Sequence, residues 1–145
     1  MGTRSLTFVY SGDTPIVNMY RQFDGYPEGH GQELARFLLS GKMVNGYSSK
    51  DERQFNGMGC LAAQMICAFK DGVGGIYLYP TIEDLDAWQD YEYHVYHDRI
   101  TVMEPEEIIF TGPWQYFEKF CKGETEGEVK LKHATFDTQV AQDWM

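Results

Sequence analysis

Between Arg21 and Gly31 the chain reads RQFDGYPEGHG, and few stretches of this length carry so many reactive groups. It holds a guanidinium at Arg21, carboxylates at Asp24 and Glu28, a phenol at Tyr26 and an imidazole at His30, spaced by Gly25, Gly29 and Gly31. A guanidinium beside a glycine-rich turn suits a carboxylate or phosphate, because its planar fork makes charge-assisted hydrogen bonds. The turn runs into a helix pattern, so the backbone N–H groups of residues 29–32 form a second expected anion contact. Arg4, on a neighbouring strand, adds a further guanidinium. The expected ligand site is therefore Arg4, Arg21, Asp24, Tyr26 and His30. Asp24 and His30 also offer an acid and a base for hydrolysis. The plain alternative is a strand-to-helix turn whose glycines supply positive φ angles.

Other constellations are weaker. Asp90, Glu92 and His94 share one face of a strand, but three alternate positions on one strand rarely converge on a metal, and a solvated strand face is expected instead. His30 with Asp24 and Glu28 follows no metal-spacing rule. No metal site is expected. The glycines of DGVGG, residues 71–75, precede a strand and not a helix, which is the wrong context for a phosphate loop. No cofactor-binding motif is present in the sequence, and no cofactor is expected. Thr3 stands just before the first strand, so removal of Met1 and Gly2 would create an N-terminal nucleophile whose own amine is the base. Cys60, Cys67 and Cys121 fall in helical patterns and read as structural thiols of a reducing compartment.

The elements that must position these groups follow from periodicity. Residues 4–10 and 16–22 alternate as two strands of an antiparallel hairpin around SGDTP. Leu34, Phe37 and Leu38 form one stripe of a short helix that Gly41 closes. Residues 42–56 read as a loop with a short helical turn. Residues 56–72 predict a second helix, apolar nearly all round and buried, capped by Asn56 and ended by Gly72. GGIYLYP predicts a central strand stopped by Pro80, and residues 81–90 an acidic excursion. Residues 91–103 predict a hairpin turning at His97 and Asp98, and EEIIF a further strand. Residues 111–123 predict a helix with Thr111 as cap, Pro113 in its first turn and Gly123 beyond its end. The fold class is α+β: one domain over residues 1–123, a mixed and mainly antiparallel sheet with about three helices. Residues 124–145 form a tail with a strand-like VKLKH. It ends on Trp144 and Met145, expected to pack on the domain or on a partner subunit of a homo-oligomer.

The net charge is −10, which argues against a nucleic-acid polymer as partner, because phosphate backbones require clustered Lys and Arg. A small phosphorylated ligand needs only a few local arginines. With aromatic residues at 15 %, ring stacking on a nucleotide base is available. No apolar run is long enough to span a bilayer, and the opening residues resemble neither a signal peptide nor a myristoylation site, since position 6 is Leu6. No membrane partner and a cytoplasmic location are expected.

MGTR at the start, Leu6 and Thr7 in the first strand, and the run Gln22 to Gly31 together resemble a family of small phage and bacterial proteins of no assigned activity. Its shared motif is MGTR…LT…QxDGYPxGxG. The resemblance implies a phage or bacterial origin, hence a host cytoplasm if phage-encoded. The function expected is a small-ligand-binding accessory protein that sequesters a host nucleotide signal or metabolite and so helps evade host defence. Two alternatives stand beside it: a hydrolase, either of the N-terminal-nucleophile type or nucleotide-cleaving, and an inhibitor that binds a host protein.

Overall fold

The computed structural model describes residues 2–47 and 52–124. The expected tail lies outside them, apart from Glu124. The first hairpin forms as expected from β1 (Ser5–Ser11) and β2 (Thr14–Arg21). A single π-helical turn (Pro27–Gly31) leads into α1 (Gln32–Leu39). Then come β3 (Lys42–Val44), β4 (Gln54–Asn56), α2 (Gly57–Phe69) and β5 (Ile76–Leu78). The chain continues through β6 (Tyr91–Val95), β7 (Ile100–Glu104) and β8 (Glu107–Gly112) to α3 (Trp114–Lys122). Six strands form one sheet in the order β5-β2-β1-β6-β7-β8, antiparallel except for the β1–β6 pair. The expected α+β class, with three α-helices on a mainly antiparallel sheet, is what the chain adopts.

Strand alternation gives the sheet two different faces. Thr7, Val9, Met19, Tyr93, Val95, Ile100, Val102 and Phe110 turn toward the helices. There they meet Leu34 and Leu38 of α1, Leu61 and Met65 of α2, and Phe117 and Phe120 of α3 in the main core. Full burial of each such side chain contributes about 1.5–3 kcal/mol. Leu6, Phe8, Tyr10 and Tyr20 turn the other way and form a smaller, aromatic core with Tyr79, Ala87 and Tyr96. None of the described helices covers this face. The acidic excursion after β5 does so.

Several expectations are corrected. Residues 42–56 are not all loop, because β3 and β4 pair in parallel as a two-stranded sheet. β5 is an edge strand and not a central one, with Tyr77 and Leu78 exposed. α2 is two-faced: Met58, Leu61, Ala62 and Met65 are buried, whereas Ala63, Cys67 and Ala68 are exposed. Asn56 does not cap α2; its Oδ1 accepts the Gly46 N–H at 2.7 Å. Gly41 directly follows the cap residue Ser40 of α1, but without a left-handed backbone, and lies against Phe55, where an added Cβ would come within 2.4 Å of the ring. Thr111 belongs to β8, its hydroxyl 2.9 Å from that of Thr101, and Gly123 does close α3, at φ 76°.

Candidate functional site

Arg21 is the last residue of β2, and alternation places it on the helix face opposite Ser5. Its guanidinium is fixed from several sides. Nε donates to the Phe23 carbonyl at 2.7 Å, and Nη1 donates to His30 Nδ1 at 3.2 Å. Nη1 and Nη2 also hold the two oxygens of Glu33 at 3.1 and 3.2 Å, a bidentate pair. These bonds leave one of the five guanidinium N–H groups. The Arg21 side chain is 15 % exposed and that of Glu33 43 %, so the pair is wet on the carboxylate side.

His30 is completely buried. A guanidinium can only donate, so Nδ1 is the acceptor and the ring proton sits on Nε2, which donates to Thr7 Oγ1 at 2.7 Å. Burial, and then the Arg21 charge, push the imidazole down to about 3. The ring is held edge-on to Phe69 and Tyr93 at 5.3 and 5.0 Å. A neutral, enclosed imidazole with both nitrogens engaged is a strut behind Arg21. It contacts Asp24 only through the backbone, where the His30 N–H donates to the Asp24 carbonyl at 2.8 Å. The two side chains do not form an acid–base couple.

The turn itself is built by close approach. Asp24, and not a glycine, takes the positive φ, at 60°. At Gly25 an added Cβ would lie 2.8 Å from Ser5 Cβ, and at Gly31 2.7 Å from Cys121 Sγ. The Tyr93 hydroxyl donates to the Gly25 carbonyl at 2.7 Å and ties the turn to β6. The N–H groups of Gly29 and Gly31 donate to the Tyr26 carbonyl, and that of Gln32 to the Pro27 and Gly29 carbonyls. The backbone contact expected for an anion is therefore taken up by the turn.

The expected site residues divide into three groups. Arg21 and His30 touch. Asp24 and Tyr26 pair with each other at the surface, the Tyr26 hydroxyl donating to Asp24 Oδ1 at 3.2 Å. That bond, more than any other cause, raises the Tyr26 phenol above its ordinary range. Arg4 lies on the opposite face of the sheet, its Nε donating to the Tyr20 hydroxyl at 3.1 Å. Odd and even positions separate the two arginines, so they cannot clamp one anion together. In front of Arg21 opens a cleft of about 210 Å³, lined by Arg21, Glu33, Phe23, Phe69, Asp71 and the backbone of Gly74 and Gly75. Glu33, Phe23 and Phe69 were not expected here, and only an acid in the first turn of a helix after an arginine-ended strand hints at Glu33.

The row of Asp90, Glu92 and His94, expected to be solvated, is graded: Asp90 is exposed, Glu92 half-buried and His94 covered. His94 is 7 % exposed and stacks on Phe8 with ring centroids 5.0 Å apart. Its Nε2 lies 2.9 Å from Glu92 Oε1. Among the described residues no three His, Cys, Asp or Glu side chains are placed to hold a metal ion. None of the described helices is long and apolar enough to cross a membrane.

No protein-family model matches the chain, and no match is found among curated proteins or solved structures.

Proposed function

We propose that the protein binds a small anionic, nucleotide-like ligand at the Arg21 cleft and leaves it chemically unchanged. The observation that carries this reading is the Arg21–Glu33 pair. A guanidinium held rigid from behind by Phe23 and His30 faces an open cleft, and a half-exposed carboxylate of the same chain occupies its fork. An incoming phosphate or carboxylate finds the geometry already set, so little ordering entropy is lost on binding. Glu33 is the competitor it displaces. Phe23, 53 % exposed, offers a ring at the cleft for a base to stack on. The cleft is smaller than the usual pocket for a whole drug-sized molecule, roughly 300–1,000 Å³, so it suits an anionic head group with the remainder outside. Capture without turnover suits an accessory protein that sequesters a host nucleotide signal or metabolite; the resemblance of its opening residues bears only on a phage or bacterial origin.

The test is a chromatographic panel of nucleoside mono-, di- and triphosphates and cyclic nucleotides, incubated with the protein and run before and after heat denaturation. Capture removes one nucleotide and heating returns it intact. Glu33→Gln frees the Arg21 fork and should tighten that binding several-fold, about the worth of one exposed ion pair. A new peak would make the protein a hydrolase. An unchanged panel with wild type and Glu33→Gln alike would end the anion reading. It would favour a protein partner, for which the exposed Tyr77 and Leu78 on edge strand β5 are the supporting feature.

A further inference from the structure

The second face of the sheet holds a buried polar chain that the Arg21 cleft does not use. Tyr10 Oη lies 2.8 Å from Glu83 Oε2 and 2.6 Å from His94 Nδ1. His94 Nε2 lies 2.9 Å from Glu92 Oε1, and the other oxygen of Glu92 accepts from Gln89 Nε2 at 2.8 Å. Tyr10 is 2 % exposed.

Each contact between these groups needs one hydrogen. The links Glu83–Tyr10, Tyr10–His94 and His94–Glu92 therefore need three. A phenol supplies one, a neutral imidazole supplies one, and two carboxylates supply none. The chain closes only when it binds one more proton. With that proton on the imidazole, Nδ1–H donates to Tyr10, the Tyr10 O–H donates to Glu83, and Nε2–H donates to Glu92. With one fewer, either Glu83 faces the phenol oxygen with no hydrogen between them, or Glu92 faces a bare ring nitrogen. A buried polar contact without its hydrogen is costly, so the weaker anchored partner gives way. Glu83 is that partner, because it belongs to the exposed segment 80–90.

This segment is the cover of the aromatic core. Ala87 packs on the core, the Pro80 carbonyl accepts from Asn18 Nδ2 at 3.0 Å, and Asp90 Oδ2 accepts the Arg4 backbone N–H at 3.2 Å. We propose that residues 80–90 form a proton-gated cover, latched by Glu83–Tyr10–His94–Glu92 while the chain holds its third proton and released when that proton passes to solvent. Release uncovers Phe8, Tyr10 and Tyr20, a tyrosine-rich surface.

The groups around the latch are few. From β1 come Phe8 and Tyr10, from β6 Glu92, from the residue just after it Tyr96, whose phenol hydrogen-bonds that of Tyr10, and from β7 the neutral Thr101 in register with His94. From the cover come Glu83 and Gln89. The Arg99 guanidinium lies over the Tyr96 ring at 4.0 Å, Asp13 acts on Tyr96, and Arg4 sits on Tyr20. Asp84, Asp86, Asp90 and Glu106 line a cleft with Glu92. These carboxylates complement a positive imidazole and repel one another once it is neutral.

The experiment is amide hydrogen exchange by NMR on the full chain, at about pH 5.5 and about pH 8.5, either side of neutrality. Protection factors of Leu85 and Ala87, corrected for intrinsic rates, report the cover, and that of Phe8 reports the sheet. In the wild type the cover should lose protection at the higher pH by about tenfold or more, with Phe8 unchanged. Glu83→Gln supplies the missing hydrogen permanently from its amide, so its cover should stay protected at both pH values. Equal protection of the wild-type cover at both values would overturn the proposal. So would a Glu83→Gln protein that keeps the wild-type pH response, or a loss shared equally by Phe8, which would mean global opening.

Discussion

Arg21 has five N–H donors, and the fold commits four of them to Phe23, His30 and Glu33. A lysine has neither the planar fork nor the reach to replace these bonds together. Arg21→Lys should therefore cost about 2–3 kcal/mol of stability, read from denaturant midpoints, as well as weakening anion capture. His30 behind it sets an acid limit. Its imidazole titrates near 6.5 in the unfolded chain and is pushed down to about 3 in the fold by burial and then by Arg21. The unfolded state therefore binds more protons between those values. The neutral-histidine contribution is fully present above about pH 6.5 and is lost as the pH falls toward about 3, on the order of 5 kcal/mol in all. Urea unfolding from about pH 7 down to about pH 4 should show this slope, and His30→Gln, less stable at neutral pH, should flatten it. A wild-type curve as flat as that of the variant would rule out the strut. Glu92 behaves in the same direction. Burial alone would raise its carboxyl, but the hydrogen bonds from His94 and Gln89 and the nearby His94 charge outweigh that and hold it below its usual range.

At the scale of elements, the turn from β2 to α1 works by contact. Gly25, Gly29 and Gly31 are places where another part of the chain fills the space of a side chain, while Asp24 bears the left-handed backbone. Gly25→Ala would push a methyl to 2.8 Å from Ser5 Cβ and 2.9 Å from the Arg4 carbonyl carbon, at the start of β1. A loss of about 2–3 kcal/mol is expected from such overpacking, seen as a lower melting temperature. Asp24→Gly relieves the strained φ and gives up only the exposed bond from Tyr26, so its stability should stay within about 0.5 kcal/mol of wild type. If Gly25→Ala proved as mild as Asp24→Gly, close packing would not be what fixes the turn. The glycines were legible in the sequence as a turn, but their reason was not. Positive φ is a property of one residue, whereas a close approach depends on which strand passes by. The same limit hid β3 and β4, which are three residues each and pair across an interval with no alternation to detect.

Over the whole molecule, one sheet carries two unequal cores. The helix side is aliphatic and thick. Among the described residues, the far side is a thin tyrosine layer under the acidic segment 80–90. The thiols sample this layout. Cys67 is exposed on α2, Cys60 is half-buried, and Cys121 is buried beneath Gly31, its thiol pushed above the ordinary range by burial and by Glu28 and Glu118. A thiol reagent should label Cys67 first and Cys60 more slowly, with Cys121 reacting only at the rate of global unfolding. Labelling of Cys121 at the rate of Cys67 would mean that α3 opens separately from the sheet.

By itself the sequence determined the α+β class, the two hairpins, the stripes of α1 and α3, and the turn at residues 21–31. These are local properties, written in periods of two and of three to four residues and in the positions of Gly and Pro. It also identified Arg21 and His30 as the residues to examine. Only the tertiary structure decided what they do. Arg4 and Arg21 read alike along the chain, yet the register of β1 and β2 puts them on opposite faces. His30 reads as a base, yet burial and Arg21 make it a neutral strut. Tyr10, Glu83, Glu92 and His94 lie up to 84 positions apart and meet because β1 pairs with β6 and the acidic segment folds across them. Contacts between distant positions leave no period in a single chain, so this polar chain and the cleft before Arg21 exist only in the folded protein.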